Sequence, residues 1–387
     1  MPKQDNQHHL VYNLSVYFDK CLLSYNGVEQ DFILYEYNEE KSRRRLIPVI
    51  YLGFLLLMGA IGNVLVLIIY PLRFPNTTRT IFITGLAIPD LLICIVVIPF
   101  EIVEMRFQYM FYNEIACKIF RTFSTWYSLA SMFVLMGLSF DTYKKICKPF
   151  KIQITIKQAK LYIGCAFILS MFIAGSSLLN SGTRLVKFDK YTTGYDCSLA
   201  DEYADTLLPV IGEGLILIIS ISGMIVLIVN YSLIGRKILK QSIFRRQFQI
   251  AKSSNTSDVI KSDDAHNGEV FTMTGSNDST QNIETLNKDN ERKKNEKSSL
   301  RRVTKIAFVV SVVFILSYIP HVAISLLTAV KGSFLLEPGP VASALMPILA
   351  RSVMINNVAN PIIYGFMNKR FRQNCKIIFM TLLCCRK

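Results

Sequence analysis

Apolar and polar positions alternate in long blocks along this chain. Runs of predominantly apolar residues fall near 46–71, 79–103, 115–140, 161–180, 207–235, 303–330 and 341–366. Each reaches the roughly 20 residues that cross about 30 Å of hydrocarbon at 1.5 Å per residue. Polar flanks with helical spacing extend them to helices near 46–71, 79–104, 114–146, 158–180, 205–240, 298–330 and 339–366. One such run also suits a buried helix of a soluble protein; seven in one chain argue for membrane spans. The pattern predicts an all-α membrane fold: a seven-transmembrane helix bundle over 46–366, preceded by a tail over 1–45. Residues 367–387 follow as a short amphipathic eighth helix and tail.

Composition agrees, with 51% hydrophobic and 18% charged residues and a mean hydropathy of +0.34. The net charge of +15 is distributed by loop. Segments after helices 1, 3, 5 and 7 hold Arg73 and Arg79; Lys144, Lys145, Lys148, Lys151, Lys157 and Lys160; a long basic loop; and Lys369, Arg370, Arg372, Lys376, Arg386 and Lys387. The other loops are sparse in basic residues, so the positive-inside rule places the N-terminus outside and the first set in the cytoplasm. Arg43-Arg44-Arg45 pulls the other way, but Glu36, Glu39 and Glu40 precede it. The basic excess is a membrane-facing asymmetry, and nucleic acid need not be invoked.

The first 45 residues contain no apolar stretch of signal length, so helix 1 itself is expected to direct insertion, leaving an exposed polar arm outside. Asn13-Leu14-Ser15 is the outer glycosylation sequon, whereas those at Asn76, Asn255 and Asn277 fall in inner loops. Residues 241–297 are rich in Ser, Asn, Asp, Lys and Thr and poor in large apolar residues, which predicts a disordered third cytoplasmic loop. Its hydroxyls suit kinases; a plain solvated tether is the competing reading.

Cys117 opens helix 3 on the outer side and Cys197 lies in the outer loop before helix 5, so an oxidising compartment favours a disulfide between them. Around Cys197, Arg184 to Phe188 and Tyr195 to Leu199 flank Thr193-Gly194, a hairpin pattern. Cys384-Cys385 follows the amphipathic segment 369–379 and reads as a palmitoylation site on an in-plane helix. Cys94, Cys147, Cys165 and Cys375 have no assigned partner, and Cys21 is either a free thiol or an intermolecular bridge.

Asn360-Pro361-Ile362-Ile363-Tyr364 ends the seventh run on the inner side. Pro361 leaves a carbonyl unpartnered, so Asn360 is placed to supply hydrogen bonds at a hinge. Seven spans ending this way, with a basic tail from Phe371, resemble the rhodopsin-like family of G-protein-coupled receptors. The resemblance runs from about Leu46 to Phe379, and in character it is nearest the invertebrate neuropeptide-receptor branch. It implies a plasma-membrane receptor that signals to heterotrimeric G proteins by outward movement of helix 6, with arrestin and kinases as regulators. The Cys117–Cys197 pair matches the family's bridge, and the hairpin resembles the lid of peptide receptors. Asp90, Ser131, Asn356 and Asn357, with Asn63 and Asn360 nearby, match the inner cluster that binds sodium as an allosteric ligand in relatives. A water-filled hydrogen-bond network would use the same residues.

In the outer half Glu101, Glu104, Arg121, Glu213, His321 and Arg351, with Ser124, Tyr127, Tyr318 and Ser325, are expected to line a cavity of mixed charge. Ser124 stands where a monoamine receptor needs a carboxylate and Met354 where a retinal opsin needs a lysine, which disfavours both. A peptide with polar side chains suits the cavity; internal pairing, Glu101 with Arg351 or Arg121 with Glu213, competes. The family's Asp-Arg-Tyr reads Asp141-Thr142-Tyr143, and Thr142 can neither restrain helix 3 nor reach a G protein as the arginine does. A helix 4 tryptophan, a helix 5 proline (Gly223 aligns there) and the tryptophan before Pro320 are also absent. Tyr231, Phe314, Pro320, Pro361 and Tyr364 retain the switch between helices 5, 6 and 7. Competing functions are a non-signalling scavenger or partner subunit, and a channel or transporter, for which no repeat or continuous charged ring is visible. Four histidines without metal-ligand spacing, and no nucleophile-base pair, argue against an enzyme.

Overall fold

The computed structural model describes residues 30–188, 192–203, 206–260, 305–306, 308–327 and 340–384. Helix α1 covers residues 30–44 and meets α2 (Leu46–Arg73) at a turn on Arg45. The second span is α3 (Thr78–Leu92), a π-helical turn (Ile93–Val97) and α4 (Ile98–Arg106). Helices α5 (Glu114–Cys147) and α6 (Ile156–Asn180) follow, then strands β1 (Ser181–Lys187) and β2 (Thr193–Leu199). Helices α7 (Leu208–Ile260), α8 (Phe308–Leu327), α9 (Pro340–Ala350), α10 (Met354–Met367) and α11 (Lys369–Cys384) complete the described chain.

Local chemistry sets these boundaries. Thr77 caps α3 by accepting from Thr80 N, Asn113 caps α5 by accepting from Ala116 N at 2.9 Å, and Thr155 and Gln158 form a capping box on α6. Pro89 lacks the N–H that would close its turn, and the backbone relaxes just beyond it into the π turn. The extra residue re-aims the outer part of the span, and Glu101 and Glu104 are both buried.

Six of the described helices are long and apolar enough to cross a membrane: 46–73, 78–106, 114–147, 156–180, 210–241 and 308–327. The seventh segment is divided: residues 351–353 form a turn between α9 and α10. Pro347 lies one turn earlier, and the bonds here shorten to i→i+3, as in Met354 N to Arg351 O at 3.0 Å. Together α9 and α10 cover 340–367, ample for a span. Leu57, Ile61, Ile168, Phe172 and Ile218 are exposed, while the interior holds Asp90, Asn63, Asn356, Asn357 and Asn360. Apolar residues outside and polar ones inside are what hydrocarbon solvent selects.

Two expected boundaries differ. Residues 30–44 are helical rather than part of a free arm: Leu34, Asn38 and Lys41 are buried, and Asn38 bonds Arg106 O at 3.1 Å and Tyr109 N at 3.2 Å. Those two backbone groups, left open where α4 ends, provide the anchor. Helix α7 runs 53 residues, to Ile260, entering the segment read as disordered from 241. At 1.5 Å per residue that is about 80 Å, well beyond the bilayer. A helix already nucleated by its membrane portion adds further turns without a new nucleation cost. Residues 261–297 lie outside the described residues.

Candidate functional site

The outer mouth is organised by the hairpin. Strands β1 and β2 pair antiparallel, with Thr183 opposite Cys197, and a Cys117–Cys197 disulfide with Cα atoms 5.6 Å apart ties β2 to α5. Tyr195 N donates to Tyr109 O at 2.9 Å and Phe111 N to Tyr195 O at 3.0 Å, extending the sheet toward the 107–113 link. A side chain at Gly194 would put Cβ 2.6 Å from Tyr109 O, so this crossing requires glycine. Thr193-Gly194 is therefore not the turn suggested by its composition. It lies inside β2, opposite Lys187 and Val186, and the reversal falls between Phe188 and Thr192. Helix α1 stacks Tyr37 on Phe188 at 4.7 Å and pairs Glu39 with Arg106 at 2.5 Å.

Beneath the hairpin lie two acids and two bases. Arg351, at the α9–α10 turn, reaches Glu101 Oε2 from both Nε and Nη2 at 2.6 Å. Arg121 on α5 donates to Glu104 Oε1 at 2.8 Å and to Cys197 O at 3.1 Å, and lies 3.8 Å from Glu101 Oε1. Both carboxylates are buried; both guanidiniums are partly exposed. The cluster is neutral as a set and crosslinks the second, third and seventh spans to the hairpin. Arg121 thus pairs with Glu104, not with Glu213, which is exposed on α7. His321 Nδ1 lies 2.6 Å from Ala350 O, freed at the α9–α10 break. Tyr127 stacks between Phe123 and Trp126, and Tyr318 on Phe314 at 4.4 Å. Ser124 and Ser325 are half-buried on α5 and α8.

Midway down, Asp90 is fully buried and accepts from Ser131 Oγ at 2.8 Å and from Asn360 Nδ2 at 2.7 Å. Asn63 Nδ2 donates to Asn357 O at 2.8 Å and to Gly59 O at 3.0 Å. Asn63 Oδ1, Asn356 Oδ1 and Asn360 Oδ1 are buried without a hydrogen-bond partner among the described residues. Asp90, Ser131 and these amide oxygens form an oxygen-rich interior of the donor type that hard cations prefer, which fits sodium. Of the four residues expected around the ion, Asp90 and Ser131 are joined directly. Asn360 supplies the second contact, while Asn357 contributes its carbonyl to Asn63.

At the inner end Asp141 accepts from Thr78 Oγ1 at 3.0 and 3.1 Å and from Lys145 Nζ at 2.7 Å, and Lys145 also meets the Thr78 hydroxyl. Thr142 is fully buried, its hydroxyl bonded back to Leu138 O at 2.8 Å. Tyr143 is half-buried at the same level. Phe314, Tyr364 and Tyr231 fill the space between α8, α10 and α7. Pro320 sits within α8, where Ser352 Oγ donates to Ser317 O at 2.6 Å.

A family model described as 7 transmembrane receptor (rhodopsin family) matches residues 62–364, more than three quarters of the chain. The chain belongs to the rhodopsin family of seven-transmembrane receptors. It is 25% identical to the cholecystokinin receptor type A of Cavia porcellus, over 94% of this chain and 87% of that one. It is also 25% identical to the type-1 angiotensin II receptor B of Mus musculus (85% and 79%) and 21% to the QRFP-like peptide receptor of Branchiostoma floridae (88% and 78%). The chain is a multi-pass membrane receptor, and the family is one of receptors and not enzymes.

Sequence reasoning about this receptor missed four arrangements. Lys145 stands one turn after Asp141, and that i,i+4 spacing was a readable signal for the pair. The carbonyl freed by Pro361 is that of Asn357, four residues back, and Asn63 rather than Asn360 satisfies it. The receptor's single tryptophan, Trp126 on α5, donates to Phe167 O on α6 at 2.9 Å, joining those helices although α6 itself lacks tryptophan. Gly223, in place of a helix 5 proline, lets α7 approach α5: a Cβ there would lie 2.6 Å from Met132 Sδ. Asn13 and Cys385 lie outside the described residues, and α11 ends at Cys384.

Proposed function

We propose that this receptor sits in the plasma membrane with its N-terminus outside and binds an extracellular peptide, passing the signal to a heterotrimeric G protein. The observation that carries the peptide reading is the outer charge cluster: Glu101, Glu104, Arg121 and Arg351 present both signs beneath a hairpin lid, flanked by aromatic Tyr127 and Tyr318. A peptide offers amide, carboxylate and cationic groups at once, so it can exchange with the internal ion pairs without leaving a buried charge unpaired. The relatives' names, cholecystokinin, angiotensin II and QRFP-like peptide, support the same class. Ser124, Glu213, His321 and Ser325 complete the surface assigned to the ligand.

Binding shifts the receptor only through higher affinity for its active arrangement. Pro320 and Pro361 provide the bends, with Phe314, Tyr231 and Tyr364 packed between them, so α8 is the element that swings out at its inner end. Asp90, Ser131, Asn360 and Asn356 would hold sodium and so favour the inactive arrangement. Kinases and arrestin act on the inner loops, palmitate on Cys384 and Cys385 fixes α11 to the membrane, and Asn13 carries glycan. A second reading is favoured by Thr142: a ligand-binding member of the fold that couples weakly or not at all. A peptide-library screen on cells expressing the chain with promiscuous Gα subunits, read by calcium, tests the first. Responses to one or a few related peptides support it, and silence across the library while a control receptor responds counts against it.

A further inference from the structure

Arg79 is the second residue of α3, and its side chain turns into the bundle. Its Nε and Nη2 are buried without a hydrogen-bond partner among the described residues. Its guanidinium lies within electrostatic reach of Asp141 on α5, Tyr70 on α2 and Tyr231 on α7. Those three neighbours come from three different helices, which places the cation near the axis of the inner mouth. A guanidinium is permanently charged and carries five N–H donors in a rigid fork, and burying part of that fork unmet is unfavourable.

The natural acceptor is already engaged. Asp141 is closed on itself by Lys145 and the Thr78 hydroxyl. Among the described residues, Tyr364 OH is buried without a partner, and Tyr231 OH faces Ser311 without a well-formed hydrogen bond. Thr142 puts nothing into the mouth, because its hydroxyl is bonded to its own helix. Among the described residues the inner end therefore holds a buried donor short of acceptors beside hydroxyls short of partners, while Thr142 of α5 offers no cation to them.

We propose that Arg79, reaching in from α3, does here what the arginine missing from α5 does in relatives. When the inner ends separate it bonds Tyr231 and then receives the acceptor groups of the transducer. A recess ending in a cation suits the C-terminus of a helix, whose last four carbonyls lack partners and carry partial negative charge. This rests on the G-protein reading above. It also accounts for Asp141 being paired by lysine: with that acid neutralised, the arginine is held by nothing that must first be broken.

The test compares wild type, Arg79→Gln and Arg79→Lys in the full-length receptor at matched surface number. Recruitment of a panel of Gα subunits is read without added ligand, together with thermal unfolding of the purified receptor. The proposal expects Arg79→Gln to lose roughly tenfold or more of recruitment, the size of a lost hydrogen bond to a charged group, with Arg79→Lys intermediate. It expects the unfolding temperature of Arg79→Gln to equal or exceed wild type, because an unmet guanidinium has been removed. Recruitment by Arg79→Gln at the wild-type level overturns the proposal, as does a drop in its unfolding temperature, which would mark a structural arginine. Wild type recruiting no Gα either alone or with a peptide recovered from the library screen overturns the coupling reading instead, and the unfolding arm still judges the buried cation.

Discussion

Asn63 Nδ2 lies 2.8 Å from Asn357 O, the carbonyl that Pro361 leaves without a backbone donor. One amide on the first span thus completes the hydrogen bonding of the seventh at its bend. Close approach makes this feasible: a Cβ at Gly62 would lie 2.6 Å from Pro361 Cβ, and one at Gly59 would lie 2.3 Å from Cys94 Sγ and 2.9 Å from Val358. The bend is clamped from two sides, because Asn360 is held by Asp90 on the second span.

Replacing Asn63 with Ala orphans a buried carbonyl, a loss of about 1–3 kcal/mol. Gly62→Ala costs a similar ~1–3 kcal/mol through overlap with the proline ring. Thermal unfolding of the ligand-free receptor, followed by circular dichroism, is expected to fall in both. An unchanged Asn63→Ala midpoint would show that water or a backbone shift replaces the amide.

Lys145→Met leaves Asp141, buried at 1% exposure, with the Thr78 hydroxyl as its remaining hydrogen bond and Arg79 within electrostatic reach. Breaking a buried pair is worth about 3–5 kcal/mol, an upper bound here because the lysine is partly exposed. The expected result is lower stability together with higher ligand-free nucleotide exchange on Gα, since the Lys145 contact to Thr78, one of the two ties between α5 and α3 here, is lost. Exchange at the wild-type level would mean the pair does not restrain the inner end.

Cys117→Ser and Cys197→Ser are expected to reduce surface expression and ligand affinity to a similar extent, and the double variant no further. Removing a native bridge from a small secreted domain typically costs about 2–5 kcal/mol, which sets the scale. Additive losses in the double variant would indicate that the cysteines act separately.

For the inner cluster, sodium in place of choline at constant ionic strength is expected to raise the unfolding temperature of the ligand-free receptor, and Asp90→Asn to abolish the difference. Sodium dependence that survives in Asp90→Asn would move the ion elsewhere.

The seven apolar blocks, the Cys117–Cys197 bridge and the polar interior were legible because each follows from a local rule: hydrocarbon thickness, redox compartment, and the cost of burying polar groups. What was not legible is which partner each polar group chooses. Glu104 rather than Glu213 meets Arg121 because the π turn at 93–97 re-aims the outer part of the second span; Pro89 signals a break in that helix but not the extra residue that follows it. The helix at 30–44 is held by two backbone groups at the end of α4, a long-range match invisible to periodicity. Lys145 could have been read from its spacing. Arg79 could not, because its inward direction depends on how α3 meets α5 and α7.

The most direct measurement is guanine-nucleotide exchange on a purified Gα heterotrimer by the purified receptor in lipid nanodiscs, with and without a peptide recovered from the library screen. The account predicts that the peptide raises exchange above the ligand-free rate, and that Glu101→Gln with Arg351→Met removes the rise. Saturable peptide binding with exchange fixed at the ligand-free rate, for every Gα tested, would contradict it and leave a ligand-binding protein that does not signal through G proteins.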